Sequence, residues 1–126
     1  MGPVGRQILV VDDSSAMRAF VRAALEDGRD FDVHEADGGF SALRILPRQR
    51  FDAVIVDINM PDINGLELVA FMRKSDMHSA TPLLIISTEA SPRDRARGLQ
   101  LGANLYLAKP FSPDQLLAAV DQLLAA

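Results

Sequence analysis

The stretch Ala53-Val54-Ile55-Val56-Asp57 decides the fold, because four consecutive apolar residues run directly into a carboxylate. Three further apolar runs have the same form: residues 7–11 lead into Asp12-Asp13, residues 83–86 into Ser87-Thr88, and residues 105–108 into Lys109-Pro110. Short Val-, Ile- and Leu-rich runs that alternate with helical patterns are typical of strands in a parallel sheet. A weaker alternation over residues 31–36 indicates an edge strand.

The residues that follow these strands carry the candidate chemistry. Parallel strands point the same way, so their carboxyl ends share one edge, where open α/β sheets bind ligands. Three carboxylates, a hydroxyl and a lysine would therefore meet in one crevice. This composition indicates a magnesium-assisted phosphoryl site.

Apolar residues at helical spacing predict helices between the strands. The first helix has Ser14 or Ser15 as its cap and Gly28 as its stop, and its stripe consists of Met17, Phe20, Val21, Ala24 and Leu25. The second is short, ends at Pro47 and is marked by Phe40, Leu43 and Leu46. The third covers about residues 66–75, and the last begins with the capping box Ser112-Pro113-Asp114-Gln115.

The fourth helix is predicted to be marginal. Pro92 suits its first turn, but Gly98 lies inside the pattern, and an interior Gly costs about 1 kcal/mol relative to Ala. We expect this helix to end at Gly102 and to be a candidate for movement. The whole pattern is (βα)5 with right-handed crossovers.

Length and composition restrict the class of protein. The 126 residues fit one domain covering 1–126, in which residues 1–5 form a flexible tail. A net charge of -4 disfavours direct nucleic-acid binding, and the absence of Cys excludes disulfides and thiolate catalysis. No apolar stretch approaches the roughly 20 residues of a membrane span, so we expect no membrane association and a cytoplasmic location.

Each candidate residue also has an ordinary structural explanation. Asp12 and Asp13 could hold Mg²⁺ or could cap the first helix. The presence of Asp57 favours the metal-binding explanation, because a third acid in the same crevice is destabilising unless a cation binds. Asp57 is the best nucleophile, since carboxylates form aspartyl-phosphate intermediates.

The remaining polar groups suit a phosphoryl ligand. Lys109 can neutralise phosphoryl oxygens, and the Lys109-Pro110 bond could be cis. Ser87 offers a hydroxyl to the same group, and Thr88 replaces it if the strand register shifts by one residue. Neither His34 nor His78 follows a strand in the crevice, which disfavours a Ser-His-Asp triad. No Gly-rich loop follows the first strand, which disfavours ATP and NAD sites.

The chain resembles the receiver domain of two-component response regulators, and most closely the stand-alone chemotaxis regulators of the CheY type. The resemblance covers about residues 7–124. It rests on the combination Val10-Val11-Asp12-Asp13-Ser14, Val56-Asp57-Ile58-Asn59-Met60-Pro61, Asn64-Gly65-Leu66-Glu67-Leu68, Ser87-Thr88-Glu89-Ala90 and Lys109-Pro110-Phe111. It implies a flavodoxin-like (βα)5 fold with strand order 2-1-3-4-5 and helices on both faces of the sheet.

The resemblance also implies a role for each site residue. Asp57 would be the phospho-acceptor, and Mg²⁺, or Mn²⁺, would be held by Asp57 together with Asp12, Asp13 and the backbone carbonyl of Asn59. The phosphoryl group would be contacted by Ser87, Thr88 and Lys109. Ser87 and Tyr106 would act as switch residues, and Asn59 and Glu89 would tune dephosphorylation.

The resemblance implies signalling partners rather than a substrate. A histidine kinase or phosphotransfer protein would be the donor, and the chain would catalyse only its own phosphorylation and dephosphorylation. A target protein would bind the face formed by residues 90–101, Tyr106 and the last helix, with the chain a monomer or weak dimer. The chain departs from the family at Ser87, where threonine is commoner, at Asn64 and at the bulky Thr88.

Three alternatives stay open from the sequence. The chain could be a receiver module of a longer signalling protein. It could be a phosphatase-like hydrolase that uses Asp57 on external substrates, although Asn59 cannot act as an acid or base. It could also be a binding module that works without phosphorylation. The fold alone decides none of these, because this architecture supports many chemistries.

Overall fold

The computed structural model describes residues 5–27, 29–88 and 92–125. In these residues, strands and helices alternate along the chain: β1 (Arg6–Val11), α1 (Ser15–Glu26), β2 (Phe31–Ala36), α2 (Gly39–Ile45), β3 (Ala53–Asp57), α3 (Gly65–Lys74), β4 (Leu83–Ser87), α4 (Pro92–Leu101), β5 (Leu105–Ala108) and α5 (Pro113–Leu124). All neighbouring strands pair in parallel in the order β2-β1-β3-β4-β5. The predicted fold class and strand order are therefore confirmed.

The apolar runs supply two separate core layers because side chains alternate across each strand. Ile8 and Val10 of β1 pack on one face of the sheet with residues of α1 and α5. Leu9 and Val11 pack on the other face with residues of α2 and α3. Both faces are buried along the central strands β1, β3 and β4 from residue 7 onwards, which explains why these three strands are continuously apolar rather than alternating.

Most helix ends follow the local sequence signals. The Ser14 hydroxyl accepts a hydrogen bond from the Met17 N–H at 3.1 Å and so caps α1. Ser112 and Gln115 form the predicted capping box of α5. The expected stop at Gly28 lies outside the described residues. Helix α3 begins at Gly65 and ends at Lys74, one residue earlier at each end than expected.

Helix α2 differs from the prediction in its end and in its buried face. It ends at Ile45, and Pro47 lies inside a 3-10 turn, Leu46–Arg48, instead of stopping the helix. Proline is tolerated there because the first turn needs no backbone donor at that position. Ala42 and Leu46 are buried, whereas Phe40 is 55% exposed and does not belong to the core.

Helix α4 contains a glycine because it lies close to β4. Gly98 is buried, and a Cβ atom at this position would lie 2.5 Å from Cδ1 of Ile85. The glycine that the sequence marks as a weakness therefore allows α4 and the Ile85 side chain to approach closely. The helix ends at Leu101, and Gly102 follows with a φ of 119°, as expected for a glycine after a helix.

A partly buried arginine fastens the amino-terminal edge of the sheet. The guanidinium of Arg73 donates to the carbonyl oxygens of Gly102 and His78, both at 2.9 Å, and to Oδ1 of Asn104 at 3.1 Å. Oδ1 of Asn104 also accepts from the Leu83 N–H at 2.8 Å. The end of α3 is thus joined to the starts of β4 and β5 and to the turn that follows α4.

Among the described residues, none of the helices combines the length and the apolar character that a membrane span requires.

Candidate metal and phosphoryl site

Strand register brings the predicted site residues together. Val11 pairs with Val56, so Asp12 and Asp57, the next residues along β1 and β3, are neighbours. Asp57 pairs with Ile86, and Ser87 pairs with Ala108. The acidic, hydroxyl and lysine side chains therefore follow from adjacent strands at one edge of the sheet, as the sequence predicts.

Lys109 forms ion pairs with two buried carboxylates. Its Nζ lies 3.0 Å from Oδ2 of Asp12 and 3.3 Å from Oδ1 of Asp57. Asp12 is 0% and Asp57 4% exposed. Buried charges require partners, and one lysine serves both acids here. The peptide bond between Lys109 and Pro110 is cis, and the Lys109 N–H donates to the Ser87 carbonyl oxygen at 2.8 Å.

The three acids are arranged to share a cation. One carboxylate oxygen each from Asp12, Asp13 and Asp57 lies within 4.8 Å of the others, and Asp13 is exposed. Hard divalent cations such as Mg²⁺ bind a few carboxylate oxygens and complete their shell with water. Three carboxylates face a single lysine, so the set carries an excess of negative charge that fits a divalent cation.

Neither acid of the Asp12-Asp13 pair caps α1. Ser14 is the cap, and Oδ1 of Asp12 accepts a hydrogen bond from the Ser14 N–H at 2.9 Å. The ordinary structural explanation of these acids, helix capping, therefore does not apply.

The environment of Asp57 disfavours its charge. Burial raises the pKa of Asp57 above its ordinary value, and the nearby Asp12 charge raises it further. Lys109 acts in the opposite direction, and its attraction does not cancel the other two effects. A cation at this position would reduce the repulsion between the acids and offset the cost of burying their charge.

A glycine that follows β3 allows the chain to pass close to Asp57. Gly65 begins α3, its N–H donates to the Ile58 carbonyl oxygen at 2.8 Å, and the Asn64 side chain caps the helix. A Cβ atom at Gly65 would overlap the Asp57 carbonyl oxygen and lie 2.9 Å from Cα of Ile58. Sequence reasoning includes Gly65 in a motif but does not reveal this close approach.

Asp62, which sequence reasoning misses, fixes the loop after β3 to the start of α2. Its carboxylate accepts hydrogen bonds from the N–H groups of Gly39 at 3.1 Å, Phe40 at 3.0 Å and Ile63 at 2.7 Å. The bond from Phe40 is the main cause that lowers the pKa of Asp62. Asp62 therefore caps α2 from a distant part of the chain, since no side chain at Gly38 can do so.

The remaining predicted residues lie around this centre. Ser87 is buried at the end of β4, and Thr88 beside it is exposed. Asn59 is exposed on the loop two residues after Asp57, and Tyr106 is half-buried against the core layer that contains Ile85. Glu89, expected to tune dephosphorylation, lies outside the described residues.

Neither histidine bonds to the site acids Asp12, Asp13 and Asp57 in the described part of the chain. His78 is buried, with Nε2 donating to the Leu46 carbonyl oxygen at 2.6 Å. His34 lies on β2, with Nε2 at 2.6 Å from Oε1 of Gln7. A Ser-His-Asp arrangement built on these residues is therefore absent from the described part of the chain.

Comparison with curated proteins identifies relatives of two lengths. CheY-3, a chemotaxis protein of Vibrio cholerae, is 36% identical over 117 residues, which cover 93% of this chain and 90% of that protein. A probable transcriptional regulatory protein of Picosynechococcus is 38% identical over 94% of this chain. The chain spans about half the length of that protein and of a second probable transcriptional regulator, from Pyropia yezoensis.

Solved structures show the same fold. The chemotaxis response regulator CheY4 of Vibrio cholerae superposes with a TM-score of 0.90 at 37% identity, covering 95% of this chain and 99% of that one. The receiver domain of the Pseudomonas aeruginosa sensor histidine kinase PA1611 superposes with a TM-score of 0.87 at 29% identity, covering 97% and 99%. That structure has a magnesium ion coordinated in its active-site cleft.

The family model described as "Response regulator receiver domain" matches residues 8–121, which is most of the chain and contains every acid of the site. With the fold and the position of the acids established, the chain belongs to the response regulator receiver domain family of two-component signalling proteins.

Proposed function

We propose that Asp57 accepts a phosphoryl group from a phosphohistidine of a histidine kinase or phosphotransfer protein. Asp12, Asp13, Asp57 and the backbone carbonyl of Asn59 would hold the metal, Mg²⁺ or Mn²⁺. The observation that carries this proposal is the placement of Lys109 within 3.3 Å of Asp57 and 3.0 Å of Asp12, beside an exposed third acid.

The residues of the chain divide the chemistry between them. An oxygen of Asp57 attacks phosphorus, the P–N bond to the donor histidine breaks, and the imidazole nitrogen keeps the electron pair. A divalent cation held by Asp12, Asp13 and Asp57 would supply positive charge to offset the negative charge on the phosphoryl oxygens. Lys109 exchanges a carboxylate partner for a phosphoryl oxygen, and the buried hydroxyl of Ser87, or that of Thr88, donates to another. Hydrolysis of the acyl phosphate, tuned by Asn59 and Glu89, resets the protein.

The phosphoryl group would act as a switch. It adds negative charge and acceptor oxygens, so it favours the state in which Ser87 is drawn toward it. The loop after β4 and α4 would follow, and Tyr106 would turn inward. The face formed by residues 90–101, Tyr106 and α5 would then bind a target protein, as a shift between two populated states.

Similarity to chemotaxis proteins supports a chemotaxis-type regulator, in which residues 1–126 would form a single receiver domain. The transcriptional regulators match the chain at similar identity over about half of their own length. The alternative, a receiver unit within a longer signalling protein, keeps the same site and differs only in its output.

Labelling by a small phosphodonor tests the proposal. With acetyl phosphate and Mg²⁺, intact mass spectrometry should show one added phosphoryl group on the wild type and none on Asp57→Asn. The exposed Asp76, outside the site, provides the matched control Asp76→Asn, which should be labelled like the wild type. Equal labelling of Asp57→Asn and the wild type contradicts the assignment. Turnover of phosphomonoesters would support a hydrolase, and target binding unaffected by phosphodonor would support an unregulated binding module.

Thr88 is expected to slow the access of small phosphodonors. It is exposed and follows the buried Ser87, where a smaller residue would leave more room. Thr88→Ala should be labelled by acetyl phosphate about threefold faster, a barrier change of about 0.6 kcal/mol. Thr88→Val keeps the bulk of the side chain but loses the hydroxyl, so it should be labelled no faster than the wild type. Labelling of Thr88→Ala no faster than that of the wild type would contradict the expected effect of Thr88 on phosphodonor access.

A further inference from the structure

Arg18 on α1 reaches the loop that carries two of the candidate metal ligands. Its Nη1 donates to the backbone carbonyl oxygen of Asp12 at 2.7 Å, and its Nε donates to Oε1 of Glu35 at 3.0 Å. The Arg18 side chain is only 15% exposed. One planar guanidinium therefore connects the end of β1 to β2 through two directed hydrogen bonds.

The bond to the Asp12 carbonyl matters because of the peptide to which it belongs. That peptide unit joins Asp12 to Asp13, so its plane helps to set how the two acids are oriented relative to each other. The Asp12 N–H is fixed on the other side by a hydrogen bond to the Ala36 carbonyl oxygen at 3.1 Å. Arg18 thus holds the carbonyl side of the residue, while Ala36 holds its amide side.

The other contacts of Asp12 involve its side chain. Oδ1 accepts from the Ser14 N–H, and Oδ2 pairs with Lys109. A cation that takes a carboxylate oxygen of Asp12 competes with these contacts, but it does not compete with the backbone bond to Arg18. Arg18 can therefore maintain the loop geometry with and without metal.

Glu35 keeps the guanidinium in place and offsets its charge. Burial opposes ionisation of Glu35, but hydrogen bonds from Arg22 and Arg18 outweigh that effect and lower the pKa of its carboxyl. The ionised Glu35 compensates the positive charge of Arg18. The arginine can therefore support a cation site with little added repulsion.

We propose that Arg18, held by Glu35, is a positioning residue that orients the Asp12-Asp13 peptide for cation binding. The inference rests on the proposed metal site and extends it to a residue that touches neither the metal nor the phosphoryl group. Partners that orient metal ligands typically contribute about 10–100-fold to affinity.

Arg22 provides a matched control. Its Nε pairs with Oε2 of the same Glu35 at 2.9 Å, and its Nη1 lies 3.4 Å from Glu26. Its side chain is 41% exposed. Among the described residues its side-chain bonds go to these two acids, whereas Arg18 also reaches Asp12. Arg18→Gln and Arg22→Gln each remove a partner of Glu35, and only the first removes the bond to the metal-site loop.

Mg²⁺ affinity measured by isothermal titration calorimetry tests the proposal without any phosphoryl transfer. Arg18→Gln should bind Mg²⁺ about tenfold more weakly than the wild type, and Arg22→Gln should bind it as tightly as the wild type. Both variants should lose a similar, small amount of thermal stability in EDTA. Arg18→Lys keeps the charge but lacks the two-pronged guanidinium that bonds to Asp12 and Glu35 together. Its Mg²⁺ affinity should therefore lie between those of the wild type and Arg18→Gln.

NMR distinguishes a positioning role of Arg18 from a general loss of structure in the variant. In metal-free protein, the amide NMR resonances of Asp13 and Ser14 should shift in Arg18→Gln and stay in place in Arg22→Gln. Wild-type Mg²⁺ affinity in Arg18→Gln, or equal weakening in Arg22→Gln, overturns the role of Arg18 while leaving the metal site intact. A wild-type protein that binds no Mg²⁺ overturns the metal site and this proposal together.

Discussion

Replacing Gly65 with alanine is expected to lower the free energy of unfolding by about 3 kcal/mol, the upper part of the range for overpacking a core. The added methyl would overlap the Asp57 carbonyl oxygen and lie 2.9 Å from Cα of Ile58. These are backbone atoms of β3 and the residue after it, so no side-chain rotation relieves the overlap. The backbone of Asp57 must move, and the rate of labelling by acetyl phosphate should fall with stability.

Gly98→Ala provides the comparison for this variant. Its Cβ atom would meet the terminal Cδ1 of Ile85, a side-chain atom, at 2.5 Å. Replacing an interior helical Gly by Ala contributes about 1 kcal/mol, which offsets part of the crowding. Urea unfolding followed by circular dichroism should place Gly98→Ala within about 1 kcal/mol of the wild type. Equal stability of Gly65→Ala and Gly98→Ala would contradict the close approach at Asp57.

Asp57→Asn is expected to make the metal-free protein more stable at neutral pH. Burial and the charge of Asp12 raise the pKa of Asp57, so the folded protein holds this proton more tightly than the unfolded chain does. Wild-type stability therefore falls as the pH rises from the ordinary aspartate value of 3.8 through the raised pKa, and then levels off. The side-chain amide of the Asp57→Asn variant does not titrate, so the variant avoids this loss of stability. The free energies of unfolding of the two proteins should converge at acid pH.

Adding metal should make the wild type more stable than Asp57→Asn. A ligand at a hundredfold excess over its Kd stabilises the folded state by about 2.7 kcal/mol, and the variant should gain less because it lacks one of the three carboxylates. Urea titrations at several pH values, with EDTA or Mg²⁺, measure both effects, and Asp76→Asn controls for the loss of a surface charge. Lower stability of Asp57→Asn in EDTA at neutral pH would show that burial does not disfavour the aspartate charge.

The site acids and the sheet are predictable because one physical pattern determines both. Apolar runs are buried on both faces of a parallel sheet, and parallel strands must bring the residues that follow them to one edge. The proximity of Asp12, Asp57 and Lys109 follows from that topology without any distance information.

The features that the sequence does not reveal depend on contacts between distant segments. Asp62 caps α2 from the loop after β3, a relation that no local capping pattern contains. The local pattern marks Gly98 as a helix-weakening residue, and its role is visible only from the contact with Ile85. Phe40 fits an apolar helical stripe, but the buried face of α2 contains Gly39 and Ala42, and Phe40 is exposed beside it.

The hydrogen bonds of Arg73 near the end of α4 limit how that helix can move when a ligand binds at the site. The Arg73 guanidinium holds the Gly102 carbonyl immediately after the last turn, and Asn104 ties the same region to β4. We therefore expect a tilt of α4 to leave its carboxyl end near Gly102 in place and to move its amino end. Ten residues of helix span about 15 Å, so a tilt of about ten degrees would carry Pro92 through about 2–3 Å while Leu101 stays in place.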